Sequence, residues 1–257
     1  MRIATWNVNG LRARIDFVKL WLEDRQPDVV GLQELKTPTD DFPHDVFEAL
    51  GYTALVHGQK SWNGVAILSK LPMQHIQSGL PGEDDWGSRL ITCEIDGRLE
   101  FTTVYCPNGK SVGHDDYPNK LRWYDSLANH WQTSQHPARV ICGDFNIVPT
   151  ARDSWRAESG DGDIFHTDEE RNRLNNLMSL DLVDLFRHKY PDSNEFSWWD
   201  YRGGAFHRKQ GLRIDFILGN GPLPDVTNEV IIDRDYRKKK DGLTASDHAP
   251  VIADLDL

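Results

Sequence analysis

Cysteine is scarce in this sequence: only Cys93, Cys106 and Cys142 occur in 257 residues. The number is odd and each lies in an apolar, strand-like context. That excludes a disulfide framework and implies buried free thiols in a reducing compartment, so a cytoplasmic location is expected. Long hydrophobic runs are also missing. None approaches the roughly 20 residues that span a bilayer, which excludes a membrane-spanning helix. Met1–Trp6 lacks a signal-peptide profile and reads directly as a strand. No internal repeat, low-complexity tract or clear linker divides the chain, so one domain over residues 1–257 is expected. Positive charge is short as well. A net charge of −11 argues against a bulk electrostatic grip on nucleic acid. Basic residues gather locally, at His207–Lys209, Arg213 and Arg234–Lys240.

What is present suffices for a large core. The hydrophobic fraction of 39% is low but includes nine tryptophans, each a large apolar surface to bury. A first strand spans Arg2–Val8. Helical spacing of Ile15, Val18 and Leu22 predicts a helix over Arg12–Asp24, closed by Pro27 before a strand at Asp28–Gln33. A short helix at Asp45–Leu50 stops at Gly51. Strands follow in series at Thr53–His57, Gly64–Ser69, Leu90–Ile95 and Leu99–Tyr105, a run that suggests antiparallel neighbours. Pro118 opens a second helix with Leu121, Tyr124, Leu127 and Trp131 on one face. Ala151–Asp163 reads as a loop. Thr167–Glu170 is a capping-box signature for a third helix, with Leu174, Leu177 and Met178 inward. Further strands are expected at Glu195–Trp199, Arg213–Leu218, Val226–Ile232 and Val251–Leu255. Helices mixed with many sequential strands predict an α/β or α+β sandwich.

The chain is organised around Arg139–Asn146. Val140–Cys142 is a short apolar strand that ends in Gly143-Asp144-Phe145-Asn146. If the strand direction persists, Asp144 and Asn146 point the same way. A carboxylate there can take a proton from water, and the amide can donate to a charged oxygen. Three other strand-like segments end in the same manner: at Asn7 and Asn9, at Gln33-Glu34, and at Ser246-Asp247-His248. Acid and amide oxygens without cysteine select a hard cation, Mg²⁺ or Mn²⁺, and exclude a zinc site rich in Cys or His. Glu34 is the best single ligand, with Asn7 and Asp247 near it. Asp215 is the candidate to orient His248 and keep it protonated. Asp144 would handle a proton and Asn146 would donate to the charged intermediate. The set points to metal-assisted phosphoester hydrolysis.

These motifs resemble those of the exonuclease III family, within the endonuclease/exonuclease/phosphatase superfamily. The resemblance is carried in order by Trp6–Arg12, Leu32–Glu34, Gly64–Ile67, Tyr105–Gly109, Gly143–Asn146, Phe196–Trp199, Gly211–Asp215 and Ser246–Pro250. It implies a four-layered α/β sandwich of two mixed β-sheets face to face, with helices outside and the site at one end. It implies a magnesium-dependent DNA repair nuclease with Mn²⁺ as substitute. Such an enzyme acts on duplex DNA with nicks, 3′ ends or abasic sites; no obligate protein partner is inferred, and a monomer is expected. By similarity Glu34, Asn7 and Asp247 serve the metal. Tyr105 and Asn146 hold the scissile phosphate, Asp144 acts on the attacking water or the leaving oxygen, and Asp215 orients His248 against the phosphate. Asn9 and Arg89 are expected to meet DNA. His166, Leu212 and Ile214 would line the pocket for a sugar lacking its base.

One segment departs from the family pattern. Before the third helix the family has a small residue followed by an aromatic, whereas this chain has Phe165-His166. The loop before it, Ala151–Asp163, is shorter than usual in the family. A bulky ring at 165 is expected to narrow the pocket for a flipped-out abasic nucleotide, while a 3′ phosphate at a strand end needs less room. The expectation is that 3′-phosphatase and 3′-exonuclease activity outweigh abasic-site cleavage. The competing readings are a catalytically silent nucleic-acid-binding regulator on the same fold, and a phosphoesterase for lipids or nucleotides.

Overall fold

The computed structural model describes residues 1–257. The chain opens with β1 (Arg2–Asn7), α1 (Leu11–Arg25) and β2 (Val29–Gln33), a parallel strand pair joined by a crossover helix. A short helix, α2 (His44–Glu48), leads to the antiparallel pair β3 (Thr53–His57) and β4 (Val65–Ser69). Next come the antiparallel strands β5 (Met73–Ser78), β6 (Leu90–Ile95) and β7 (Leu99–Tyr105). Helix α3 (Asp116–Trp131) crosses to β8 (Arg139–Asp144), which is parallel to β7. The chain then forms α4 (Asp168–Met178), β9 (Leu182–Asp184), α5 (Leu185–Lys189) and β10 (Asp215–Asn220). It ends with α6 (Leu223–Val226), β11 (Thr227–Ile232) and β12 (Val251–Leu255).

The strands make two six-stranded mixed sheets, ordered β11-β12-β1-β2-β4-β3 and β5-β6-β7-β8-β10-β9. Both follow one plan: a helix-linked parallel pair at the centre and antiparallel strands on either side. The plan recurs although the sequence shows no repeat. Side-chain alternation then builds the layers. Ile3, Val29, Ile67, Phe101, Val140 and Ile217 face the other sheet and form the shared core. Their neighbours Ala4, Val30 and Leu68 face outward onto Phe17, Val18, Trp21 and Leu22 of α1. Ile141, Phe216 and Leu218 meet Trp123, Tyr124 and Leu127 of α3 and Leu174 and Leu177 of α4. The result is the four-layered α/β sandwich. Cys93, Cys106 and Cys142 are free and buried.

Local chemistry sets the element ends. α4 begins at a complete capping box: the Glu170 N–H donates to Thr167 Oγ1 and the Thr167 N–H to Glu170 Oε2. Helix α3 starts at Asp116, two residues before Pro118. Proline is tolerated there because first-turn N–H groups have no intrahelical partner. The strand expected at Glu195–Trp199 is absent. Ser197 and Trp198 both donate their backbone N–H to Leu212 O, which leaves only isolated bridges. β10 starts at Asp215 rather than Arg213. Ala151–Asp163 is a loop that contains two 3₁₀ turns. β5 was not legible in advance. It is a polar edge strand with a bulge, and its one aliphatic β-branched residue, Ile76, is exposed. No helix is long and apolar enough to cross a membrane.

Gly143 is demanded by the close approach of β7 and β8. Its φ is +144°, and a Cβ there would sit 1.9 Å from Val104 O. Gly143→Ala is therefore expected to destabilise the fold by about 2 kcal/mol or more, measured as a lower midpoint in urea unfolding. An unchanged midpoint would contradict the close approach.

Candidate active site

Inward-facing positions change from apolar to polar along each central strand. Ile3, Thr5 and Asn7 succeed one another in β1; Val29, Gly31 and Gln33 in β2; Phe101, Thr103 and Tyr105 in β7; Val140, Cys142 and Asp144 in β8. The polar ends coincide because both parallel pairs finish at the same end of the sandwich, where α/β sheets commonly place their sites. Gln33 Nε2 ties the sheets together there, donating to Thr5 Oγ1 at 2.8 Å and Thr103 Oγ1 at 2.7 Å. Tyr105 pairs with Asp144, and Asp144 with Asp215, so three of the expected residues share one row across the second sheet.

His248 stands at the centre. Its Nδ1–H donates to Asp215 at 2.9 Å, and its Nε2 lies 3.7 Å from Asp144 Oδ2. Burial pushes the imidazole pKa down, but Asp215, Asp144 and Asp247 outweigh that and raise it to about 10. Asp215 is itself held by Ser197, whose hydroxyl donates at 2.6 Å while accepting the Ile214 and Asp215 N–H groups. Burial raises the Asp144 pKa to about 7, with His248 and the Asn7 donor pulling against it.

Glu34 leaves β2 through a left-handed backbone, φ +52°. Burial would neutralise it, but Lys36 at 2.9 Å and the Asn7 amide hold its pKa below the ordinary range. Asn7 Nδ2 bridges Glu34 Oε1 at 3.0 Å and Asp144 Oδ2 at 2.9 Å, while its oxygen accepts the Asn9 N–H. In this arrangement Asn7 meets the carboxylates as a donor, not through the oxygen expected to ligate metal. Asn9 Nδ2 donates to Asp247 Oδ1 at 2.9 Å, and Asn9 Oδ1 accepts from Lys36 at 2.6 Å. Trp198 Nε1 donates to the other Asp247 oxygen at 3.0 Å. These donors and His248 keep Asp247 ionised despite its burial. One ligand atom each from Glu34, Asp144 and His248 lies within 4.8 Å of the others. His248, protonated and committed to Asp215, is a poor ligand. The carboxylate oxygens of Glu34 and Asp144, with no thiolate in the cluster, fit a hard divalent cation.

Tyr105 is partly buried beside Glu34 and Asp144. Burial and their charge keep its phenol protonated. Arg89, expected to face DNA, is half-buried, packs 4.9 Å over the Tyr105 ring and donates to Trp86 O and Tyr105 O. The strand does not continue to Asn146: φ there is +50°, and its N–H turns back to Asp144 Oδ1 at 2.9 Å. Asn146 Nδ2 spends one hydrogen on Cys106 O, leaving the other free. Lys120, not anticipated, is fully buried beneath this corner. It donates to Asn108 O, Asn146 O and Glu170 Oε1 and so ties two loops to the first turn of α4. Its signal was present: residues 117, 120, 124, 127 and 131 form the inward stripe of α3.

Leu212 and Ile214 are buried with Val148, and Phe165 and Trp198 pack on them. Phe165 holds φ +72°, a conformation that favours glycine and costs a bulky residue about 1–3 kcal/mol. His166 borders the cavity but is 3% exposed. Its Nδ1 donates to Ile164 O and its Nε2 accepts from Ser154 Oγ, so no ring nitrogen is left for a sugar. A cleft of about 450 Å³ opens outside Phe165. A larger cavity of about 1130 Å³ lies behind the 149–158 loop. No expected site residue lines it, and Asp153, Asp184, Arg187 and Arg213 on its walls pair with one another.

Residues 4–248 match the endonuclease/exonuclease/phosphatase family. The chain is 35% identical to the exodeoxyribonuclease III of Haemophilus influenzae, over 99% of this chain and all of that one. NExo of Neisseria meningitidis, a 3′-5′ exonuclease, superposes with a TM-score of 0.95 at 36% identity over the full length of both chains. An AP endonuclease of Archaeoglobus fulgidus superposes at 0.94 with 31% identity, also over both full lengths. The chain belongs to the endonuclease/exonuclease/phosphatase family, and within it to the hydrolases of the exodeoxyribonuclease III type. The family is metal-dependent, in keeping with the acidic cluster.

Asp215→Asn tests the central pair. Removing that charge lowers the proton affinity of His248, so the imidazolium is lost at lower pH. The alkaline limb of the pH–rate profile should move from near 10 towards the ordinary histidine value of about 6.5, with activity near neutrality down on the order of 10²-fold. Ring-nitrogen NMR reports the same shift. A limb that stays in place would contradict the pairing.

Proposed function

We propose that this protein is a DNA repair hydrolase that works chiefly at 3′ ends, as a 3′-5′ exonuclease and 3′-phosphatase or 3′-phosphodiesterase. Abasic-site cleavage is the subordinate activity. The domain spans residues 1–257 and acts as a cytoplasmic monomer, with Mg²⁺ as its ion and Mn²⁺ as substitute. The observation that carries the preference is Phe165, whose ring packs on Leu212 and Ile214 beside Trp198. Those positions would line a pocket for a flipped-out abasic sugar, and here a side chain fills it. A 3′ phosphate requires no such pocket. NExo, so similar over its whole length, is also described as a 3′ phosphatase and has been seen with a product DNA hairpin.

In this reading Glu34 holds the cation, with Asn7 and Asp247 supporting it through the bonds to Glu34 and Asn9. When bound, the ion supplies Lewis-acid charge compensation at a phosphoryl oxygen. The His248 imidazolium and the free Asn146 amide hydrogen donate to the other oxygens, with the protonated Tyr105 phenol beside them. Asp144, with its pKa near 7, exchanges a proton with the attacking water or the leaving oxygen at physiological pH. Water attacks in line, without a covalent enzyme intermediate. Every acid of the constellation and His248 is present and hydrogen-bonded, which disfavours a silent regulator.

Phe165→Gly should open the pocket and relieve the left-handed backbone. The ratio of abasic-site cleavage to 3′-phosphate release is expected to rise at least about ten-fold, a change of ~1.4 kcal/mol in relative barrier. Paired assays on the two substrates check it. An unchanged ratio would show that the ring at 165 does not set the preference.

A further inference from the structure

We propose that the cleft outside Phe165 is the subsite for the 3′-terminal nucleotide during exonucleolytic cutting, with its base stacked on Trp155. The proposal rests on the 3′-end reading above. Trp155 is a large aromatic left 47% exposed, on a loop at the catalytic end. The loop is fixed on both sides: the Trp155 N–H donates to Gly211 O at 3.0 Å, and Ser154 bridges to Leu212. Ser154 Oγ also receives the Arg156 N–H at 3.1 Å and bonds His166 at 3.0 Å. The indole is therefore presented on a rigid mount, as a stacking platform needs to be.

The cleft is about 450 Å³, and Ser111 and Val112 of the loop after β7 stand with Trp155 and Arg156 among its lining residues. Phe165, His166, Trp198 and Leu212 also line it. The volume lies in the range of small-ligand sites. The cleft is continuous with the chemistry through Trp198, which donates to Asp247 and lies 6.5 Å from the His248 ring. On the side of the scissile phosphate where an abasic sugar would sit, exonucleolytic cutting must place a nucleotide that still carries its base. Phe165 keeps that nucleotide out of the deep pocket. The base, having left the duplex stack, then meets an aromatic face that is indifferent to its identity. Arg156 is spent on Asp163 at 2.7 Å, so the cleft offers stacking more than charge.

Water adds to phosphorus, the bond from phosphorus to the O3′ of the penultimate residue breaks, and that oxygen takes a proton. The terminal residue leaves as a 5′-monophosphate from the cleft. A 3′-phosphate substrate has no nucleotide beyond the reacting phosphorus and leaves the cleft unused. The two activities therefore separate the subsite from the machinery they share.

The test compares wild type, Trp155→Ala and Trp155→Phe on one nicked duplex framework, ending in either a 3′-hydroxyl or a 3′-phosphate. Trp155→Ala should lower the exonuclease-to-phosphatase ratio about ten-fold, mainly through KM, and Trp155→Phe should restore most of it. An unchanged ratio, or equal loss of both activities, overturns the subsite. Absence of 3′-phosphate release by the wild-type protein overturns the 3′-end reading and the subsite with it.

Discussion

The catalytic end depends on one imidazolium among carboxylates. Asp144, Asp215 and Asp247 all lie close enough to raise the proton affinity of His248, and all are largely withdrawn from water. Buried like charges repel strongly, and such a group would neutralise itself without compensation. His248 supplies that compensation, bonded to Asp215 at 2.9 Å and facing Asp144 at 3.7 Å. Ser197 fixes Asp215, and Asn7 links Asp144 to Glu34. Lys36 then balances Glu34 from the outer side. His248 thus serves Asp215 and Asp144 together and Lys36 serves Glu34, which lets the acids crowd one site, with Asp144 alone left near 7.

The fold delivers these groups by simple means. Two parallel strand pairs, one in each sheet, end on the same side of the sandwich. Strand alternation carries each inward-facing column from aliphatic core to polar tip. Gln33, bonded to threonines of both sheets, marks the change. Above it the backbone turns through left-handed residues at Asn9, Glu34 and Asn146. Such conformations persist only where surrounding bonds fix them. The bond of the Asn146 N–H to Asp144 and the grip of Lys120 on the Asn146 carbonyl do so here.

Much of this was legible in the sequence. Asn7, Asp144 and Asp215 terminate or begin an apolar strand, and Glu34 and His248 lie just outside one, so each has a readable position. The capping box at Thr167 and the inward face of α3 were readable for the same local reasons. What escaped was set by tertiary contact. The role of Ser197 depends on a non-strand segment lying against β10. Arg89 looks like a surface cation until Tyr105 is placed beneath it. His166 lines the cleft as expected, but that Ser154 and Ile164 claim both its ring nitrogens required the structure. β5 and β9 are too polar or too short to announce themselves. Phe165 was legible as a bulky residue in an unusual place, but its positive φ and its packing on Leu212 and Ile214 required the structure.

On the proposed reading, specificity follows from what fills space beside a common reaction centre. The most direct measurement uses the wild-type protein on two labelled duplexes, one with an internal abasic-site analogue and one with a nick bearing a 3′ phosphate, each in Mg²⁺ and in EDTA. The account predicts release of the 3′ phosphate in Mg²⁺, its loss in EDTA, and slower cutting of the abasic duplex. Equal processing of both would remove the role assigned to Phe165, and turnover of neither would contradict the account at its centre.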